Sequence, residues 1–258
     1  MTFDFTSLGD HTIATLPAKK RRKRTMIPTV VLWHTTNGPG TAANQFPGTV
    51  NWFTSNSNGG STWGPSSDIL IGTGGELLLF VTDTGEAFDT THAAFSAGYG
   101  DSWRTTYAAD EYAISIEVAR SASQEPISQA ALSRLVEVTA VLCNHYGIPV
   151  QWIDYLHQKR SLRPQQGVTG HEFTANGKKT GKIDPGLSKS EISGLLERVR
   201  TSNADAGDPK LNRQQLTIAY TMAEMNRYGH SIEWDHNEEV RGRKVHVYRM
   251  TVPSDRWY

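Results

Sequence analysis

Five consecutive residues, Thr29 to Trp33 (TVVLW), narrow the folds open to this chain more than any other feature. A run that is apolar or β-branched at every position has no face to show to water, so it reads as a central strand buried on both sides. It delivers His34 to its C-terminal end and opens into a polar, glycine-containing loop, TTNGPGTAANQ, which holds Thr36 and Asn37. A histidine at a strand end facing such a loop is well placed for a site. A second run, Tyr112 to Val118 (YAISIEV), is apolar around Glu117. Burying a carboxylate there is costly unless it is paired or set at an opening.

Ile69 to Ile71 and Leu77 to Val81, separated by GTGGE, read as a β-hairpin. Ser128 to Tyr146 carries Leu132, Leu135, Val136, Thr139, Leu142 and Tyr146 at spacings of three and four, the pattern of an amphipathic helix. Ser128 is its expected N-cap and Gly147 its stop. Leu187 to Arg200 reads as a closing helix. The Ser-, Asn- and Gly-rich stretch 51–65 reads as a long surface loop, whose Trp52, Phe53 and Trp63 either wall a groove or pack inward. Residues 1–26 read as an irregular arm ending in a basic run, Lys19 to Arg24, whose charges are expected to be solvated.

The fold class expected is therefore α/β, a mixed central β-sheet flanked by helices, spanning residues 27–200. A linker, SNADAGDP at 202–209, follows it. Beyond lie an expected helix at about 211–228 and a strand around Lys244 to Met250, which make 201–258 a small C-terminal α+β appendage. With 26 basic and 26 acidic residues the chain has no global field, so no nucleic-acid partner is expected. The single cysteine, Cys143, allows no internal disulfide and falls in the helical pattern as a small buried hydrophobe. The basic run is followed by a short, proline-interrupted apolar stretch rather than a signal-peptide core, and no stretch approaches the ~20 apolar residues of a transmembrane segment.

His34, His171 in the phrase GHEF, and Asp184 in KIDPG are candidates for a metal site with three protein ligands and a fourth position for water. None of them makes a short-spacing motif, so from the residues alone a structural role for these histidines stays open. His230, Asp235, His236 and His246 in the tail have no ligand spacing and read as surface residues.

The phrases VVLWHTT, AISIEV, GHEF and KIDPG, in this order, resemble the N-acetylmuramoyl-L-alanine amidase type 2 family, which shares its fold with the peptidoglycan recognition proteins. The likeness covers about residues 27 to 200 and includes the hairpin and the helix ending YGIP. It implies hydrolysis of the amide bond between N-acetylmuramic acid and L-alanine in bacterial peptidoglycan. It further implies one zinc ion per chain held by His34, His171 and Asp184, with Glu117 as general base and Lys182 stabilising the oxyanion. His92, in THAAFSAG, falls where relatives carry a Trp-His-Ala-Gly phrase and would line the substrate groove with Thr36, Asn37 and Trp63, although Thr91 replaces the tryptophan. Asp68 and Ile69, in SSDILI, replace residues able to offer a hydroxyl or imidazole near the metal, which argues against a tyrosine-assisted mechanism.

The expected setting is a phage or prophage endolysin, a monomer made in the bacterial host cytoplasm without a signal peptide and acting on the wall after release. A cytoplasmic amidase recycling anhydromuramyl peptides, and a peptidoglycan-binding protein without catalysis, are the rival readings. The appendage either binds a wall polymer or extends the packing of the catalytic domain.

Overall fold

The computed structural model describes residues 8–24, 26–36, 42–55, 66–81, 92–94, 109–120, 125–157, 164–204, 231–240 and 243–251. The first elements along the chain are β1 (Thr12–Thr15), β2 (Arg21–Lys23), β3 (Val30–Thr35), α1 (Ala42–Thr54), β4 (Ile69–Ile71), β5 (Leu77–Val81), β6 (His92–Ala94) and β7 (Ala113–Val118). They are followed by α2 (Gln129–Tyr146), β8 (Gly167–Gly170), α3 (Ala175–Thr180), α4 (Lys189–Ala204), β9 (Ser231–Val240) and β10 (Arg243–Thr251).

Six strands form the main sheet in the order β1-β5-β4-β7-β3-β8. β4, β7, β3 and β8 run parallel, while β5 is antiparallel to β4, so the sheet is mixed as expected. Alternation along the strands divides the side chains between two faces. Val31 and Trp33 of β3 and Ile114, Ile116 and Val118 of β7 pack in one core with Leu135 and Leu142 of α2 and Leu195 and Val199 of α4. Val30 and Leu32 lie instead with Met26, Tyr112, Ile153 and Leu156, and Leu70 and Phe80 join Phe53 of α1. Both faces of β3 are thus covered, which is why its sequence carries no polar alternation.

α2 begins and ends where its sequence signals fall. The Ser128 hydroxyl accepts the Ala131 N–H at 3.1 Å, and Gly147 closes the helix in the left-handed region at φ 62°. Trp33 donates its indole N–H to Thr139 of α2 at 3.0 Å, so a fully buried polar group is satisfied across the layer. Cys143 is buried, and burial pushes its thiol up to about 12, consistent with a packing role.

Two expectations fail at the N-terminal end and one in the loop region. Residues 12–15 add β1 to the sheet beside β5 and are no irregular arm. The basic run is not wholly solvated either, since Lys20 and Arg24 are buried and β2 pairs with β6. Arg24 donates to the carbonyls of Asp110 (3.1 Å) and Ala113 (2.6 Å) and lies 3.7 Å from Asp68, a set of partners far away in sequence that replaces its water. Residues 51–54, read as loop, form the last turn of α1, whose Phe53 is buried against Phe80. Residues 56–65 lie outside the described residues.

The strand expected around 244–250 is β10, which pairs antiparallel with β9, a strand the sequence reading lacks. The helix expected at about 211–228 lies outside the described residues. Among the described residues no helix is long and apolar enough to cross a membrane.

Candidate metal centre and active site

The parallel strands β3, β7 and β8 end side by side, and each brings a chemically active residue to that edge. His34 is the fifth residue of β3; strand alternation places it on the Val30–Leu32 face, away from α2. Glu117 is its registered partner on β7 and shares that face. His171 follows directly on β8, whose Gly170 is paired with Trp33. Ligand sites at the carboxyl ends of parallel strands are a general property of such sheets.

Asp184 comes from the turn between α3 and α4, and two glycines allow it to reach the histidines. A Cβ on Gly170 would lie 2.2 Å from Pro185 Cδ, and one on Gly177 would lie 1.8 Å from the His171 carbonyl oxygen. Only glycine lets the turn and α3 close onto β8 at this distance. Glu172 N–H donates to the Asp184 carbonyl at 2.9 Å, and Thr174 binds the His171 carbonyl through both its N–H (3.0 Å) and its hydroxyl (2.9 Å).

The result is a compact, buried group. His34 Nδ1 is 3.0 Å and His171 Nδ1 is 3.3 Å from the same carboxylate oxygen of Asp184, and the three donor atoms all lie within 4.8 Å of one another. The imidazole rings meet edge to face at 4.7 Å. A tetrahedral zinc ion with ligand bonds of about 2.0–2.1 Å has donor–donor edges of roughly 3.3 Å, which the two histidine–aspartate spacings match. His34 Nε2 and His171 Nε2 are buried with no protein hydrogen-bond partner.

The electrostatics favour a neutral His34 imidazole beside a charged Asp184 carboxylate. Burial lowers the His34 pKa, with Asp184 opposing and the neighbouring His171 adding to the fall. For Asp184, burial acts upward, but hydrogen bonds from His171 and His34 outweigh it and hold the carboxyl well below its usual range. Glu117 moves the other way: burial and then the charge of Asp184 push it well above the usual carboxylate range, while Lys182 pulls it partly back. A carboxylate poised upward beside an acidified one is the arrangement a general base requires. Lys182 is exposed, its N–H bonded to the Gly177 carbonyl at 2.9 Å, and it is near enough for its charge to act on Glu117.

Of the residues expected to meet substrate, Thr36 is occupied by main chain. Its hydroxyl donates to the Arg120 carbonyl at 2.9 Å and accepts the Arg120 N–H at 2.7 Å, tying the ends of β3 and β7 together. His92 stands opposite Lys23 in the short β2–β6 ladder. Asn37 and Trp63 lie outside the described residues. Asp68 is a buried acceptor for the Ser115 N–H (2.8 Å) and hydroxyl (2.9 Å). Two groups near the site escaped the sequence reading: Asp110, a buried carboxylate whose charge reaches His34, and Arg120, a buried arginine. Arg120 had a legible signal, since it stands three residues after Glu117 at the end of an apolar strand.

The fold and this two-histidine, one-aspartate group define an α/β domain with a candidate metal centre at the carboxyl edge of its sheet. The model of the N-acetylmuramoyl-L-alanine amidase family matches residues 23–187, more than half of the chain, and the chain belongs to that family, the type 2 amidases of peptidoglycan. Among solved structures, a selenomethionine derivative of AmpD shares the fold, with a TM-score of 0.51 and 19% identity over 76% of this chain and 99% of that one. The catalytic domain of XlyA aligns with a TM-score of 0.48 and 14% identity over 74% of this chain and 99% of its own. The Staphylococcus aureus hydrolase AmiA, in complex with its ligand, aligns at 0.48 and 11% identity over 78% and 87%. No curated protein matches the chain in sequence.

Proposed function

We propose that this chain is a zinc-dependent hydrolase that cuts the amide bond between N-acetylmuramic acid and the first L-alanine of the stem peptide. The observation that carries the reading is the convergence of His34, His171 and Asp184, with Glu117 on the same face of the adjoining strand. Those three side chains would hold one zinc ion, which when bound would supply Lewis acidity toward water and the scissile carbonyl. Glu117, its affinity for a proton raised by burial, accepts the proton of the attacking water and returns it to the departing nitrogen. Lys182 contributes positive charge where the carbonyl oxygen becomes an oxyanion. His92, Asn37 and Trp63 are proposed to line the groove; Thr36 supports it from behind.

The proposed setting is lytic, a phage or prophage endolysin acting as a monomer on the wall after leaving the host cytoplasm. The domain map proposed with it extends the catalytic unit beyond 27–200, back to take in β1 and forward to the end of α4, with the remainder of 201–258 as an accessory element. Release of new L-alanine amino termini from purified, intact sacculi, detected by amine labelling and mass spectrometry, tests both levels. Wild type should release them, and Glu117→Gln should keep its zinc and lose at least about 100-fold in rate. Wall binding without amine release would overturn the enzyme in favour of a recognition protein. Cleavage of soluble anhydromuramyl peptides but not of sacculi would replace the lytic setting with recycling.

A further inference from the structure

We infer that Arg120 is a positioning residue, whose guanidinium fixes the turn carrying Asp184 to the strand ends carrying His34 and Glu117. The inference rests on reading His34, His171 and Asp184 as a zinc site.

Residues 184–186 belong to no helix or strand, so the Asp184 carboxylate is placed by whatever pins the backbone around it. Two ties run to the His171 side. Glu172 N–H donates to the Asp184 carbonyl at 2.9 Å, and the Glu172 carboxylate accepts the Gly186 N–H. A third tie runs to the other half of the site: Arg120 Nη1 donates to the Pro185 carbonyl at 3.2 Å. Arg120 is 7% exposed, and its guanidinium lies along the turn, since a Cβ on Gly186 would come within 3.2 Å of Nη1.

Arg120 is itself held where this contact needs it. Its N–H and carbonyl both engage the Thr36 hydroxyl, and Thr36 N–H donates to the Val118 carbonyl at 3.0 Å. Thr36 is two residues past His34, and Arg120 is three past Glu117. One continuous link therefore runs from His34 through Thr36, Arg120 and Pro185 to Asp184. Groups that orient ligands in this way set metal affinity without touching the ion.

The test is zinc affinity, read by competition with a chromophoric chelator, together with the Tm of the chelator-stripped protein. Arg120→Met keeps the aliphatic stem but removes every donor. It should weaken zinc binding by about 10–100-fold while the stripped protein melts close to wild type, and Arg120→Lys, which keeps a charge and a donor, should fall between the two. Thr36→Val cuts the same link at its other end without removing a charge and should weaken zinc in the same direction even where Arg120→Met fails to fold. Wild-type zinc affinity in Arg120→Met or in Thr36→Val, with zinc lost in Asp184→Ala, would overturn the positioning role alone, as would a lowered Tm with unchanged affinity. A wild-type chain that takes up no zinc would overturn the metal reading underneath it.

Discussion

Replacing Gly170 by alanine adds one methyl group at the point where the sheet, the Asp184 turn and the metal ligands meet. The new Cβ would lie 2.2 Å from Pro185 Cδ and 3.4 Å from the Asp184 carbonyl oxygen. Relieving the first contact to an ordinary separation of 3.4 Å moves Pro185 or β8 by about 1.2 Å. Neither yields easily, because Pro185 is bonded to Arg120 and Gly170 belongs to a strand paired with β3. Forcing a methyl group into packed surroundings costs about 1–3 kcal/mol, which for a domain of this size lowers Tm by roughly 2–12 °C. The metal site should suffer more than the fold, since ligand distances tolerate only about 0.2 Å. Thermal unfolding with and without chelator, plus a zinc titration, separates the two effects. Gly194→Ala is the control: Gly194 lies in α4 with nothing within 4 Å of an added Cβ, and the change should stabilise the helix by about 0.5–1 kcal/mol. A Gly170→Ala protein with wild-type Tm and wild-type zinc affinity would refute the claim that this close approach builds the site.

Three further outcomes follow from the same contacts. Arg24→Ala removes a buried cation 3.7 Å from buried Asp68 and should destabilise by about 3–5 kcal/mol in chemical denaturation, whereas a solvated arm residue would change stability by less than about 0.5 kcal/mol. Ser128→Ala removes the cap of α2 and should cost about 0.5–2 kcal/mol in the same assay. Glu117 binds its proton more tightly folded than unfolded, so in the metal-free protein it should weaken stability as pH rises from the ordinary carboxylate value through its raised one. Metal-free Glu117→Gln should therefore match wild type at low pH, gain on it across that window and hold a constant lead above it, while wild-type activity climbs with pH as the base ionises; equal Tm–pH curves for the two proteins would contradict the raised proton affinity of this carboxylate.

The parts of the fold legible in the sequence are those where local pattern and tertiary demand coincide. The unbroken apolar run that enters β3, and the apolar run of β7 around Ser115 and Glu117, announce buried strands, and α2 has its period, its serine cap and its glycine stop in register. α1 was hidden because AANQFPGTVNWFT, with Pro47 and Gly48 inside it, has the composition of a loop; its helix is supported by Phe53 against Phe80, a contact far away in sequence. β1 is only four residues, three of them exposed, and is defined by its pairing with β5. The burial of Lys20 and Arg24 was invisible for a similar reason, since a charge run carries no mark of the distant carbonyls that receive it. At the site, the strands place His34 and Glu117 from sequence alone, whereas the approach of Asp184 depends on Gly170, Gly177 and Arg120, residues whose meaning appears only once the turn is closed.

Zinc K-edge X-ray absorption on the purified wild-type chain, with metal content measured on the same sample and on Asp184→Ala, tests the central claim most directly. The account predicts close to one zinc per wild-type chain in a shell of nitrogen and oxygen scatterers at about 2.0–2.1 Å with two imidazole signatures, and zinc largely lost from Asp184→Ala. A sulfur shell at about 2.3 Å, or equal zinc in both proteins, would place the ion elsewhere and contradict it.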